Sequence, residues 1–294
     1  MSILREYTSS LKMAEVEEVL DLIFYRPIAF VFVKLIARAP VTPNQITLLS
    51  LVAGLFAAFF FSRGEASMFV WGAVSLAVAN MLDCADGQLA RVQGSGTPFG
   101  RLVDGVVDWV ISIALLVCLA IGLVITTGSG NIWFLVVATG ITAAIHSITF
   151  DFVQQEYLSI LRDDRHYLLR EIQKVEGELS QPGERTRGSL RRLGLKIYRR
   201  YLAIQRTTLY QGGSTQRIPP DVFRKLNHPV IRWWTLLGST TNRSILILAA
   251  LVGRPEYYCW IVVVAGNLYL TGMLLWRRRL RQKLDARLVQ SPTK

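Results

Sequence analysis

Long apolar runs constrain the fold of this chain more than any other feature of its sequence. Six stretches approach the roughly 20 residues that an α-helix needs to cross a bilayer. They lie near residues 44–62, 67–92, 98–126, 131–153, 229–252 and 256–276. Only 18% of the residues are charged, whereas soluble domains carry about 25%. The sequence therefore predicts an all-α membrane protein with six transmembrane helices.

The segments outside these runs are polar or amphipathic. Residues 10–38 have an apolar face and cationic ends, which is typical of a helix lying at the membrane interface. A long charged insert is predicted to hold two helices, near 156–180 and 188–210. The predicted organisation is an N-terminal interfacial helix (1–42), spans one to four (43–153), a basic helical insert (154–228), and spans five and six with a basic tail (229–294).

The formal net charge of +12 is distributed unevenly. Lys and Arg are frequent in the insert and after Trp276, while the links on the opposite side hold only Arg63 and Arg254. Positively charged loops favour the cytoplasmic side, so both termini and the insert are predicted to be cytoplasmic, at the inner membrane in a bacterium. Charge beside apolar runs indicates lipid headgroups rather than nucleic acid as the partner. A specific partner site on the second insert helix stays open as an alternative.

Four aspartates at helical spacing are the strongest chemical signal. Asp83 and Asp86 share one helix face, Asp104 and Asp108 share a face of the next helix, and a short turn joins the two helices. Carboxylates at this depth repel each other and cost several kcal/mol each unless compensated. Mg²⁺ and Mn²⁺ prefer oxygen ligands and share them with phosphates, and two such ions suit a phosphoryl displacement. Polar residues that merely hold the helices together are the competing interpretation.

The residues from Asp83 to Asp108 spell D-x-x-D-G-x-x-A-R, eight residues, then G-x-x-x-D-x-x-x-D. This string resembles the motif of the CDP-alcohol phosphotransferase family at all eight of its fixed positions. The resemblance implies a six-helix core behind an interfacial helix, a homodimer, and an active site open to the cytoplasm. It does not account for the insert at 154–228.

The same resemblance implies roles for individual residues. Asp83, Asp86, Asp104 and Asp108 would bind two divalent cations, Mg²⁺ or Mn²⁺, and Asp108 would also be the catalytic base. The implied nucleotide and donor contacts are Asn44, Thr47, Gly87, Ala90, Arg91, Thr97 and Gly100.

The implied reaction moves a substituted phosphoryl group from a CDP-linked donor, CDP-diacylglycerol in the first instance, to a small alcohol with release of CMP. The transfer should be direct, because the motif holds no Ser, Cys or His that could form a covalent intermediate. Transfer from a soluble CDP-alcohol to a lipid hydroxyl stays open, since the motif does not separate the two directions.

Three residues outside the motif are candidates for binding the acceptor. Arg243 lies near the middle of the fifth predicted span with Ser239 on its side, and an intramembrane arginine marks a functional candidate. It would suit an acceptor that carries a phosphate, such as inositol phosphate or glycerol phosphate. Pairing of Arg243 with helix carbonyls or a carboxylate is the alternative. His146 is a candidate second base or a helix-packing residue.

Three other function classes use some of these features. A prenyltransferase would carry its acidic motifs on well-separated hairpins. A cation-coupled transporter could use buried carboxylates, but it would not need Gly and Arg in this register. A scaffold built around the basic insert would leave the aspartates unexplained. Release of CMP by purified protein would separate the enzyme from all three.

Overall fold

A computed structural model describes residues 7, 15–161, 167–180, 189–210 and 220–290, and these residues form helices and turns without strands. In chain order the elements are a π-helical turn (Asp21–Tyr25), α1 (Arg26–Ile36), α2 (Pro43–Ser62), α3 (Ala66–Gln93), α4 (Pro98–Thr127), α5 (Ile132–Leu161), α6 (Tyr167–Ser180), α7 (Ser189–Tyr210), α8 (Pro220–Trp234), a 3₁₀ turn (Thr235–Leu237), α9 (Ser239–Leu251), α10 (Glu256–Trp260), a second π-helical turn (Ile261–Gly266) and α11 (Asn267–Gln290).

Five helical stretches within this described part are long and apolar enough to cross a membrane. They are α2, α3, α4, α5 and the run Glu256–Gln282, which joins α10, the second π-helical turn and part of α11. The all-α membrane class predicted from the sequence is therefore confirmed. The count of six spans stays a prediction.

The span predicted near 229–252 is not one continuous helix. Helix α8 ends at Trp234, the 3₁₀ turn follows, and Gly238 adopts an extended conformation with ψ of 169°. Helix α9 then runs for only 13 residues, which is short of the roughly 20 needed for a span. The apolar composition of this region conceals the break, because hydropathy does not report backbone conformation.

The N-terminal segment begins with the π-helical turn and continues as α1, while residues 10–14 of the predicted helix lie outside the described range. Its outward side chains are apolar, with Ile23, Phe24, Val31 and Leu35 all exposed. That surface suits the interfacial position predicted for it. Helix α2 then starts with a capping box formed by Thr42 and Gln45.

Helices α6 and α7 lie within the two helical ranges predicted for the insert, and the predicted turn at Gln181–Gly183 lies outside the described residues. The two helices pack on the start of α4. Leu195 is buried in a small cluster that includes Phe99, and Arg101 pairs with Glu171. The insert therefore contacts the first turn of the helix that carries Asp104 and Asp108.

Helices α2, α3 and α4 form the centre of the bundle, with Phe61, Leu76 and Ile111 fully buried between them. Glycines allow α2 and α4 to approach closely. A Cβ on Gly54 would lie 2.7 Å from Ile111, and one on Gly122 would overlap the carbonyl oxygen of Phe61. This close packing holds α4 rigidly against the rest of the core.

The side chain of Glu18, from the N-terminal segment, caps helix α9. Glu18 accepts hydrogen bonds from the backbone N–H groups of Thr240 at 3.2 Å and Thr241 at 2.8 Å. These are N–H groups of the first helical turn, which have no partner within the helix. Gly238 lies directly against the Glu18 carboxyl group, where a Cβ would overlap it. The N-terminal segment thereby determines where α9 begins.

Replacing Gly238 by Ala should displace Glu18 from this cap. We expect the free energy of unfolding to fall by about 1–3 kcal/mol, the usual cost of overpacking, measured as a lower midpoint of thermal unfolding in detergent. Gly272→Ala is the matched control, since a Cβ there meets nothing within 4 Å. Equal midpoints for the two variants would contradict this account of the cap.

Stability should also depend on the protonation of Glu18. Burial, with the nearby charge of Asp21, raises the pKa of Glu18 to about 8 although the Thr240 and Thr241 N–H groups oppose the shift. The folded protein therefore holds a proton that the unfolded chain releases above its ordinary pKa of about 4.3. Stability should be highest below this value and should fall as pH rises towards 8. In thermal unfolding across this range, Glu18→Gln should flatten the dependence; an unchanged slope would refute the assignment.

Candidate metal and nucleotide site

The turn between α3 and α4 folds the two halves of the motif onto each other. Gly94 ends α3 in the left-handed conformation with φ of 62°, which glycine adopts without strain. The Ser95 N–H group donates to the Ala90 carbonyl at 3.0 Å. Thr97 then caps α4 by accepting from the Gly100 N–H group at 3.0 Å, and Pro98 follows at the first helical position.

This turn places the aspartates in two layers of matched depth. Asp86 lies seven residues before the end of α3, and Asp104 lies six residues after the start of α4. Asp83 and Asp108 are each ten residues from the same ends. Because both helices rise about 1.5 Å per residue, members of one layer lie at nearly equal distances from the turn.

Three of the four predicted metal ligands converge. Carboxylate oxygens of Asp83, Asp86 and Asp104 all lie within 4.8 Å of one another. The Thr47 hydroxyl, at the start of α2, donates a hydrogen bond to Oδ2 of buried Asp86. Three carboxylates held this closely inside a helical bundle fit a hard divalent cation, which supplies the positive charge that they need.

The fourth aspartate has a cationic partner. Oδ1 of Asp108 lies 2.9 Å from Nη2 of Arg243 on α9. The Asp108 side chain is 35% exposed, whereas that of Arg243 is only 11% exposed. Asp108 is therefore held on one side by a buried guanidinium and is open on the other.

The residues predicted to contact the nucleotide surround the same end of the hairpin. A Cβ on Gly100 would lie 3.2 Å from the Thr97 hydroxyl and 3.4 Å from Oδ1 of Asn44, so these three residues are neighbours. The Arg91 guanidinium folds back over Gly87, where an added Cβ would be 3.5 Å from Nη2. Ala90 lies between Gly87 and Arg91 along α3 and is half-buried. Roles of these residues in nucleotide binding stay predictions.

The three acceptor candidates occupy different surroundings. Arg243 contacts Asp108, which realises the predicted alternative in which a carboxylate partners it. Ser239 is exposed in the first turn of α9. His146 is buried, and a Cβ on Gly266 would lie 2.5 Å from its ring. His146 therefore packs against the last span, as the helix-packing alternative expected.

Two polar residues beneath the aspartates were not anticipated. Nη1 of Arg243 lies 3.4 Å from Oδ1 of Asn80, and Nη2 lies 3.3 Å from the Ser112 hydroxyl. Asn80 precedes Asp83 by three residues and Ser112 follows Asp108 by four. The helical periodicity that revealed the aspartates would have placed both on the same faces.

Comparison with known proteins identifies the segment that carries this site. Residues 40–162 match the family described as CDP-alcohol phosphatidyltransferase. This CDP-alcohol phosphatidyltransferase domain comprises α2 to α5 and contains every residue of the Asp83–Asp108 motif.

Several curated proteins are similar to part of the CDP-alcohol phosphatidyltransferase domain. A phosphatidylinositol phosphate synthase of Corynebacterium glutamicum is 38% identical over 82 residues, which cover 28% of this chain and 36% of that protein. An archaetidylinositol phosphate synthase of Pyrococcus horikoshii is 31% identical over 90 residues, 30% of this chain and 46% of that protein. A bifunctional IPC transferase and DIPP synthase of Aquifex aeolicus is 38% identical over 84 residues, which cover 28% of this chain and 18% of that protein. The chain spans less than half of the length of each.

Removing the Thr47 hydroxyl should reveal how much the acidic cluster lowers the free energy of unfolding. Thr47→Val keeps the shape but leaves buried Asp86 without this donor, so we expect a loss of about 1–3 kcal/mol in chelator-treated protein. Saturating Mn²⁺ should narrow the difference from the native protein, because the cation would supply the missing compensation. Thermal unfolding in EDTA and in Mn²⁺ measures both values, with Thr47→Ser as the control that keeps the hydroxyl. A deficit unaffected by Mn²⁺ would contradict a metal role for Asp86.

Proposed function

We propose that this protein is a metal-dependent CDP-alcohol phosphotransferase that transfers a substituted phosphoryl group from a CDP-linked lipid, CDP-diacylglycerol, to an alcohol hydroxyl. The observation that carries the proposal is the convergence of the Asp83, Asp86 and Asp104 oxygens within 4.8 Å, inside a segment that matches the family over residues 40–162. Neither a scaffold nor a packing role requires three carboxylates at this separation.

Asp83, Asp86, Asp104 and Asp108 would hold two divalent cations, Mg²⁺ or Mn²⁺. Such cations neutralise the negative charge of a diphosphate and of the attacking and leaving oxygens. The chain itself supplies the donor's surroundings. Arg91 brings a fixed positive charge to the face of α3 that carries Gly87, and Gly87 and Gly100 leave room for a nucleotide to approach the backbone.

Asp108 would act as the general base. Its open side can accept the proton of the acceptor hydroxyl while Arg243 holds the other oxygen. The hydroxyl oxygen forms a bond to the phosphorus that carries the diacylglycerol, the bond from that phosphorus to the bridging oxygen breaks, and CMP leaves with that oxygen. The proton passes to Asp108, so charge and atoms balance in a single displacement.

A phosphorylated alcohol is the proposed acceptor. Four of the similar proteins are named as phosphatidylinositol phosphate or archaetidylinositol phosphate synthases. Basic residues are concentrated in the segments predicted to lie on one side of the membrane, and this asymmetry supports an active site that faces the cytoplasm. A homodimer, implied by the family resemblance, belongs to the same proposal.

Substituting Asp108 by Asn should abolish the reaction. The native protein in nanodiscs, with Mn²⁺, CDP-diacylglycerol and inositol phosphate or glycerol phosphate, should release CMP, and Asp108→Asn should lower kcat by about 10²–10⁴-fold, the usual worth of a general base. Asp221→Asn, at an exposed aspartate in the first turn of α8, is the matched control and should retain full activity. Failure of the native protein to release CMP with CDP-diacylglycerol and any alcohol would refute the proposal.

A further inference from the structure

Helix α9 contributes a cation to the layer beneath the aspartates. The Arg243 guanidinium reaches two helices at once: Nη1 lies 3.4 Å from Asn80 on α3, while Nη2 lies 2.9 Å from Oδ1 of Asp108 and 3.3 Å from Ser112 on α4. Nη2 also lies 3.4 Å from the backbone carbonyl oxygen of Asp108. A planar guanidinium, unlike a lysine ammonium, presents several donors in a fixed geometry.

The depths of these partners match the layers of the hairpin. Asn80 lies 13 residues before the end of α3, and Ser112 lies 14 residues after the start of α4. They form the layer below Asp83 and Asp108. Arg243 thus joins α3 to α4 directly under the cluster, where it contacts Oδ1 of Asp108.

The position of Arg243 is itself fixed by packing. Thr241, two residues earlier, receives the Glu18 cap, and Ser244, the next residue, lies 3.3 Å from the Tyr25 hydroxyl. The side chain of Arg243 is only 11% exposed. A phosphate on an acceptor would have to displace Asp108, Asn80 or Ser112 from the two terminal nitrogens before it could bind them.

We infer that Arg243 is a positioning residue that acts on the reaction through Asp108, by holding one carboxylate oxygen so that the other faces the reacting hydroxyl, and that it is not the site of the acceptor's phosphate. This inference rests on the proposed function. Supporting shells of this kind are what keep a catalytic group within a fraction of an ångström of its working geometry.

Kinetics separate the two roles of Arg243. Arg243→Gln should lower kcat about 100-fold and leave the KM of a phosphorylated acceptor within about threefold, because the acceptor does not contact it. Arg243→Lys should recover part of kcat, since it keeps the charge but cannot bridge α3 and α4. The matched control Arg254→Gln, at an exposed arginine paired with Glu256, should change neither constant. A tenfold higher acceptor KM with unchanged kcat would overturn the inference in favour of acceptor binding.

Metal binding gives a readout that does not need activity. The Mn²⁺ dissociation constant, measured by electron paramagnetic resonance, is compared for Arg243→Lys in the native and Asp108→Asn backgrounds, a double-mutant cycle. We expect about threefold weaker binding in the native background and no change in the Asp108→Asn background, because only the Asp108 carboxylate transmits the effect. Equal weakening in both backgrounds would indicate a general structural role and would overturn the inference.

The two experiments also distinguish this inference from the proposed function. If the native protein releases no CMP, the phosphotransferase proposal fails, while the Mn²⁺ cycle still decides whether Arg243 acts through Asp108. If the native protein is active and the cycle shows no coupling, only the inference about Arg243 fails. Arg243→Gln combined with Asp108→Asn leaves a neutral pair. If this double variant folds, loss of folding does not explain the change in kcat or the change in Mn²⁺ binding.

Discussion

The mutual repulsion of closely spaced carboxylates is the interaction on which the site depends. Oxygens of Asp83, Asp86 and Asp104 lie within 4.8 Å of one another, in helices long and apolar enough to cross a membrane. Such a group is stable only beside compensating positive charge or hydrogen-bond donors. The chain provides the Thr47 hydroxyl at Asp86 and the Arg243 guanidinium at Asp108. A bound cation, as proposed, would complete the compensation.

The surrounding structure brings these groups to a common depth and keeps them there. The left-handed Gly94 and the Thr97 cap make the α3–α4 turn short, so residues equally far from it meet. Close contacts at Gly54 and Gly122 hold α2 and α4 together, and α2 carries Thr47. Helix α9 adds Arg243 from the far end of the sequence, with its start determined by Glu18. Helices α2 and α9, which are far apart in the sequence, therefore both contact the α3–α4 hairpin.

The N-terminal segment and the insert both contact elements of the site without belonging to the matched segment at 40–162. Glu18 sets the start of the helix that bears Arg243. The insert packs on the first turn of α4 through the cluster that contains Leu195 and through the pair of Arg101 with Glu171. The insert thus supports the helix that carries Asp104 and Asp108, and the N-terminal segment supports the helix that carries Arg243.

By itself, the sequence determined the membrane class, the helical hairpin with aspartates on one face of each helix, and the turn of that hairpin. It could do so because hydropathy, helical periodicity and Gly or Pro signals are local properties. It could not determine the break in 229–252, because Glu18, which caps the helix that follows, lies more than 200 positions away in the chain. Nor could it show that Arg243 meets Asp108, Asn80 and Ser112, which lie more than 130 positions away in the chain. Only tertiary packing decided these pairings, because the partner of a buried charge is set by the crossing of helices and is not encoded in local spacing.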